Sequence, residues 1–228
     1  MQPRLEMRWD VAPEEAAQLQ TELAASVVAE DALPAEVRTV AGVDVAYAED
    51  SAETFAAVIV FDAATLREVE RQTAQAAVDF PYVPGLFSFR ELPAISAALA
   101  KLPLTPDLVI CDGHGIAHPR RFGLASHLGV LYDVPSIGCA KTHFFGAAGT
   151  PGHTRGDEAP ITDREQTIGA VLRTQNGVKP VYVSTGHRVG LETACRWILK
   201  LAARYRLPEP IRAANTAVQT MKANYGAR

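Results

Sequence analysis

Apolar residues recur along this chain at two different spacings, and the spacing changes part-way. Across residues 13–30 (PEEAAQLQTELAASVVAE), Ala16, Leu19, Leu23 and Val27 share one helical face, and Pro13 suits a first turn. Residues 38–47 (RTVAGVDVAY) alternate instead, with Val40, Gly42 and Asp44 against Ala41, Val43 and Val45, which is strand periodicity with an acid on one face. Residues 54–61 (TFAAVIVF) and 65–78 (TLREVERQTAQAAV) read as two more strands joined by a short turn, so the three predict an antiparallel meander. A helical spacing follows over 88–102, with Pro93 expected in an early turn, and then an apolar run over 107–112 that ends on Asp112. A helix over 122–132 and a strand over 135–140 complete a βαβ unit, whose two strands should be parallel. Residues 146–164, rich in Gly, Thr, Pro and charge, read as a surface loop. Strands over 168–173 and 180–185, a helix over 189–206 stopped by Pro208 and Pro210, and a last helix over about 211–224 finish the chain. The predicted class is α/β: a mixed sheet, part antiparallel meander and part parallel βαβ strands, flanked by helices.

Composition narrows this without changing it. With 228 residues, 48% of them hydrophobic, the chain supports one sizeable core, and residues 1–228 are expected to form a single domain. The first ten residues, MQPRLEMRWD, lack a signal-peptide core, and no run is long and apolar enough to span a membrane. Cys111, Cys139 and Cys195 are odd in number and lack zinc spacing; they are expected to be reduced thiols in a cytoplasmic protein. The net charge of −4 argues against bulk coating of nucleic acid while leaving room for a local basic groove.

Several residues sit oddly against this background. Asp44 interrupts a strand of apolar and small residues, where aspartate is depleted and a lone buried carboxylate is costly unless paired or metal-bound. The bland alternative is a polar residue tolerated on an exposed strand face. Asp112 ends a buried strand, the place where open α/β sheets bind ligands, and Gly113-His114-Gly115 then brings bare backbone close to whatever the acid holds. Without that setting Asp112 would read as a turn or cap residue. Glu91, near a helix start, fits either a dipole-stabilising acid or a ligand. His118 serves as ligand or proton carrier only with suitable neighbours. Carboxylates from separate elements, with oxygen donors only, suit Mg²⁺, with Mn²⁺ able to substitute, and such ions support in-line phosphoryl displacement. Arg120, Arg121 and Lys141 add cations suited to a phosphate backbone. In the stretch 81–91, Pro81 and Pro84 hold Tyr82 on a stiff turn, either as a surface-packed loop tyrosine or as an aromatic wedge that opens a base stack.

Taken together, these segments resemble the endonuclease V family of deoxyinosine-directed repair nucleases. The resemblance rests on Ala41-Gly42-Val43-Asp44-Val45, Pro81-Tyr82-Val83-Pro84-Gly85, Phe89-Arg90-Glu91, the run Asp112 to Arg120 (DGHGIAHPR), Pro135 to Lys141 (PSIGCAK), Thr185 to Val189 (TGHRV) and Tyr205 to Arg212 (YRLPEPIR), and covers about residues 15–215. It implies a ribonuclease-H-like fold in which Asp44 and Asp112 meet at one Mg²⁺, with Glu91 completing the acidic set. It further implies that Tyr82 is the wedge and that Pro81 belongs to the same DNA-contacting turn, with Arg120 beside the nucleic acid. The altered base would be extruded into a pocket walled by main chain at Gly85, Gly113 and Gly123. His118 and Lys141 would support catalysis near the scissile phosphate. The implied reaction is hydrolysis of the second phosphodiester 3′ to deoxyinosine, leaving 3′-hydroxyl and 5′-phosphate ends. The implied partner is damaged, inosine-containing DNA, single- or double-stranded, and the protein is expected to act as a monomer.

One position departs from the pattern. Where the family places an acid or histidine in the helix after the Pro-Glu-Pro turn, this chain reads Ile211-Arg212-Ala213-Ala214-Asn215, and asparagine offers a carbonyl oxygen but no ionisable group. Two other activities fit the same residues: an endoribonuclease specific for inosine, and a lesion-binding module without catalysis. The intact set Asp44, Glu91 and Asp112 weighs against the second.

Overall fold

The structure is a computed structural model and describes residues 1–49 and 51–226. In chain order its elements are α1 (Pro13–Ala24), β1 (Thr39–Tyr47), β2 (Glu53–Asp62), β3 (Glu68–Ala77), α2 (Phe87–Leu99), β4 (Leu108–Cys111), α3 (Leu124–Tyr132), β5 (Ser136–Ala140), β6 (Ala147–Ala148), β7 (Glu158–Asp163), β8 (Gln166–Leu172), β9 (Val181–His187), α4 (Leu191–Leu201) and α5 (Glu209–Gly226). All nine strands join one sheet in the order β3-β2-β1-β4-β5-β9-β8-β7-β6. The meander β1–β2–β3 is antiparallel and β1, β4 and β5 run parallel, while β9 and the strands beyond it return antiparallel. This is the expected mixed sheet flanked by helices.

Strand alternation sorts the core into two layers. Ala41, Val43, Val109 and Cys111 point to the face covered by α2 and α3, where they meet Leu92, Ile95, Leu99 and Leu128. Val40, Leu108, Ile110, Ile137 and Cys139 point to the other face, against Ala194, Ile198 and Ile211 of α4 and α5. Further along β1 and β2, Ala46, Phe55, Ala57 and Ile59 pack on Ala214, Ala217 and Val218 of α5. Even-numbered positions of β1 therefore face α5. At Gly42 an added Cβ would lie 2.2 Å from the carbonyl carbon of Pro210, so only glycine lets the start of α5 reach the strand.

Several boundaries differ from the sequence reading, three of them through a tertiary contact or a turn without its usual residues. The first helix stops at Ala24 rather than near 30, because Val28 is drawn away: its N–H donates to His187 Nδ1 and its carbonyl accepts from Arg188. The expected loop 146–164 contains β6 and β7, and β7 forms a hairpin with β8. Its two turn residues, Arg164 and Glu165, both adopt positive φ, a tight hairpin geometry normally announced by Asn-Gly. The helix expected over 189–206 ends at Leu201, where the Arg155 guanidinium donates to the carbonyls of Leu199 and Ala202. The helix around Pro93 begins at Phe87, which puts the proline in its second turn.

Candidate active site

The carboxyl ends of β1, β4 and β5 open on one edge of the sheet. Val43 pairs with Cys111 in the parallel register, so Asp44 and Asp112, the next residue on each strand, stand side by side. Both carry the even parity that faces α5. Lys141, the first residue past β5, extends its ammonium to Asp112 as an ion pair. Glu91 arrives from α2, on the opposite face of the sheet, where the Tyr47 hydroxyl donates to its Oε1 at 3.1 Å. The acids thus reach one edge from both layers, and Asp44, Glu91, Asp112, Lys141 and Asn215 line a single cleft of about 650 Å³.

Electrostatics at this edge shows a cluster short of positive charge. Burial, reinforced by the neighbouring charge of Asp112, pushes the Asp44 carboxyl up to about 6, although Asn215, Val45 and Lys141 pull the other way. Asp44 Oδ1 accepts from the Val45 N–H at 2.8 Å and Oδ2 from Asn215 Nδ2 at 2.7 Å. Burial raises Glu91 to about 8, against its Tyr47 hydrogen bond, and the charges of Asp44 and Asp112 add to the rise. Desolvation works against the Lys141 ammonium, but its contact with Asp112 outweighs that and raises it overall. Among the described residues, no three histidine, cysteine, aspartate or glutamate side chains converge as a ready-made metal cage. Each acid is instead held by a donor: Asn215 on Asp44, Lys141 on Asp112, Tyr47 on Glu91. The donor set is nonetheless all oxygen, and mutually repelling carboxylates at an open edge fit a hard divalent cation.

Above the acids, the turn carrying Tyr82 projects outward. Tyr82 is 64% exposed, and its ring meets Phe87 edge-on with centroids 5.2 Å apart. Gly85 closes the turn at φ +82°, and its carbonyl accepts two bonds of 2.9 Å, from Arg120 Nη2 and from His118 Nε2. His118 Nδ1 in turn accepts the Arg120 N–H at 3.2 Å, and Arg120 Nε donates to Gln20 Oε1 at 2.7 Å. Burial holds His118 neutral, with its titration pushed down to about 4. His118 and Arg120 therefore buttress the Tyr82 turn. Arg121 pairs with Asp163 at 2.6 Å, which leaves Lys141 as the cation at the acids among the three that the sequence singled out. Pro81 lies on the far side of the turn, in a separate hollow beside Trp9 and Arg90. Gly113 and Gly123 line the main cleft; at Gly123 a Cβ would lie 2.4 Å from the carbonyl oxygen of His114, so the backbone there is closely packed.

A family model described as Endonuclease V matches residues 21–216. This chain belongs to the endonuclease V family. An endonuclease V from Roseiflexus sp. strain RS-1 is 50% identical over 215 residues, covering 94% of this chain and 96% of that protein. The crystal structure of the endonuclease V from Streptomyces avermitilis superposes with a TM-score of 0.91 at 46% identity, covering 99% of this chain and all of that one. That of Ciona intestinalis endonuclease V (D234N), in complex with a 23-mer DNA containing an inosine followed by a ribo-adenosine, superposes with a TM-score of 0.83 at 27% identity over 94% of this chain and all of that one. The fold is ribonuclease-H-like, as the family resemblance implied.

Two residues, one behind the cleft and one lining it, carried no sequence signal or a weak one. Tyr47 closes β1 as an ordinary strand tyrosine, and only the packing of α2 shows it as the partner of Glu91. Phe144 is 42% exposed and lies 5.8 Å from the ring centroids of both His114 and His118. Adjacent phenylalanines at 144 and 145, in a polar, glycine-bearing stretch, were the one available hint.

Proposed function

We propose that this endonuclease V is a divalent-metal-dependent repair nuclease that recognises deoxyinosine in DNA. In this reading it hydrolyses the second phosphodiester 3′ to the lesion and leaves 3′-hydroxyl and 5′-phosphate ends. The observation that carries the reading is the pairing of Asp44 with Asp112 at the strand edge, with Lys141 beside them, in the same cleft that Tyr82 overhangs. Asp44 and Asp112 would hold Mg²⁺, or Mn²⁺ in its place, with Glu91 joining once Tyr47 releases it and the Asn215 carbonyl oxygen as a further donor. The bound ion would supply an activated water and offset charge on the phosphate.

The protein's own groups do the rest. Lys141 keeps its proton against Asp112 and presents a fixed positive charge to the non-bridging oxygens of the phosphate. Tyr82, stiffened by Pro81 and Pro84 and braced by Phe87, inserts into the stack in place of the extruded base. The backbone around Gly85, Gly113 and Gly123 walls the base pocket. His118 holds the Gly85 carbonyl and so sets the angle of the wedge, a positioning role that needs the neutral ring.

The deciding experiment incubates an end-labelled inosine duplex with the protein and Mg²⁺, beside EDTA and Asp44→Ala controls. The reading expects a single nick one nucleotide beyond the inosine's own 3′ linkage, lost in both controls. Cleavage confined to inosine in RNA would turn the assignment to an endoribonuclease, and binding without a nick would leave a lesion-binding module.

A further inference from the structure

Away from the acids, a second hollow of about 400 Å³ is lined by Arg155, Arg204 and Arg206 together with Gln175 and Tyr205. No carboxylate among the described residues lines it. Two of its three arginines are bonded to neutral partners only. Arg155 donates to the carbonyls of Thr174, Leu199 and Ala202, and Arg206 Nη2 donates to those of Lys141 at 2.6 Å and Pro180 at 2.8 Å. Carbonyls satisfy donors but cancel no charge. The Nε of Arg206 is buried and has no partner among the described residues. Arg204 is exposed and makes no side-chain hydrogen bond or ion pair among the described residues. A fourth guanidinium, of Arg212, lies 3.5 Å above the Tyr205 ring and pairs with Glu209 at 3.4 Å. Tyr205 itself is 47% exposed. In a chain of net charge −4, three guanidiniums lining one hollow, beside a fourth stacked on the Tyr205 ring, favour an anion.

The place of this seat in the fold says which anion. Arg206 is bonded to the main chain of Lys141, the lysine paired with Asp112. Arg212 precedes Asn215, the partner of Asp44, by one turn of α5. The hollow is therefore tied through Arg206 to the edge where the phosphodiester is read to break, and Tyr205, which lines it, carries Arg212 from the helix that holds Asn215. Resting on that nuclease reading, we propose that Arg204, with Arg212 stacked on Tyr205, clamps a backbone phosphate of the polynucleotide flanking the scissile linkage. A backbone contact of this kind adds affinity and register without sequence information, and its strength falls as salt rises.

The test follows the salt dependence of binding by fluorescence anisotropy, with inosine-containing and adenine-containing duplexes of the same sequence, for the wild type, Arg204→Ala, Arg204→Glu and Arg204→Lys. Steady-state nicking of the inosine duplex is measured in parallel. The clamp expects Arg204→Ala to lower the slope of log affinity against log salt by about one and to weaken both duplexes equally, with the loss in nicking falling on KM rather than kcat. Arg204→Glu should weaken them further and Arg204→Lys should retain the slope. Because Arg204 is exposed, the variants should melt with the wild type. An unchanged slope and KM in Arg204→Glu would overturn the clamp, as would a loss confined to the inosine duplex. So would stabilisation of the wild type alone by inorganic phosphate, with the slope unmoved, since that assigns the hollow to a free anion. If the wild type itself bound and nicked no inosine strand, the nuclease reading would fall first.

Discussion

Asp44 is held on both oxygens by donors of unequal character, a strand N–H that cannot leave and an amide side chain that can. Removing the carboxylate should abolish nicking. Asp44→Ala or Asp112→Ala should retain DNA binding in an anisotropy assay while losing cleavage, because cationic and aromatic contacts carry the affinity. Retained cutting in either variant would take that residue out of the acidic set. Asn215→Asp tests the amide directly. It puts a second carboxylate where Nδ2 now lies 2.7 Å from Asp44, so it should destabilise the protein in EDTA by about 1–3 kcal/mol, a deficit that Mg²⁺ narrows. A melting temperature equal to wild type in EDTA would show that Asn215 contributes nothing to holding Asp44. On the opposite wall, Tyr82→Ala and Phe144→Ala should each reduce discrimination of inosine from adenine more than they reduce affinity for single strands. Equal effects on both substrates would dismiss the aromatic walls as base-handling elements. Asp44 and Asp112 were legible in the sequence because an acid at the end of, or within, an apolar strand is conspicuous. Tyr47 and the bracing role of Arg120 were not, since a strand tyrosine and a loop arginine look the same whatever they touch.

At the scale of elements, the site depends on how closely α5 lies on β1. Gly42 and Pro210 meet main chain to main chain, and a methyl group at 42 has no flexible side chain to displace. Gly42→Ala should therefore cost about 1–3 kcal/mol or more and lift the start of α5, taking Asn215 from Asp44. A denaturant midpoint equal to wild type would mean that the helix can slide without loss. The parallel pair β4 and β5 was readable from short apolar runs at βαβ spacing, whereas the place of β1 beside β4 came only with the family resemblance. The β7–β8 hairpin was not, because Pro160 and the charges around it resemble loop, and Arg164-Glu165 supplies none of the glycine that usually marks such a turn.

Over the whole molecule, acid should act through the buried histidines. His127 packs against Trp9, Phe89 and Phe122, with Nδ1 2.9 Å from Ser88 Oγ, and burial pushes its titration down to about 3. A group depressed in the fold contributes stability that is complete above its unfolded value near 6.5 and is lost as pH falls from there toward 3. In the metal-free protein the raised Asp44 and Glu91 oppose this, so a comparison of variants isolates the histidine. His127→Asn, less stable at pH 7, should lose less melting temperature than wild type between pH 6.5 and 4; parallel curves would remove His127 as a source of acid sensitivity. The sequence alone determined the periodicities, hence the mixed sheet, and the residue types, hence an oxygen-donor site beside a stiff aromatic turn, because both follow from local spacing and side-chain chemistry. Only the tertiary structure decided which donor holds each acid, that His118 and Arg120 brace a loop, and that Arg206 is bonded to the main chain of Lys141. Those are contacts between residues far apart in the chain, set by strand register and helix docking, which local patterns do not encode.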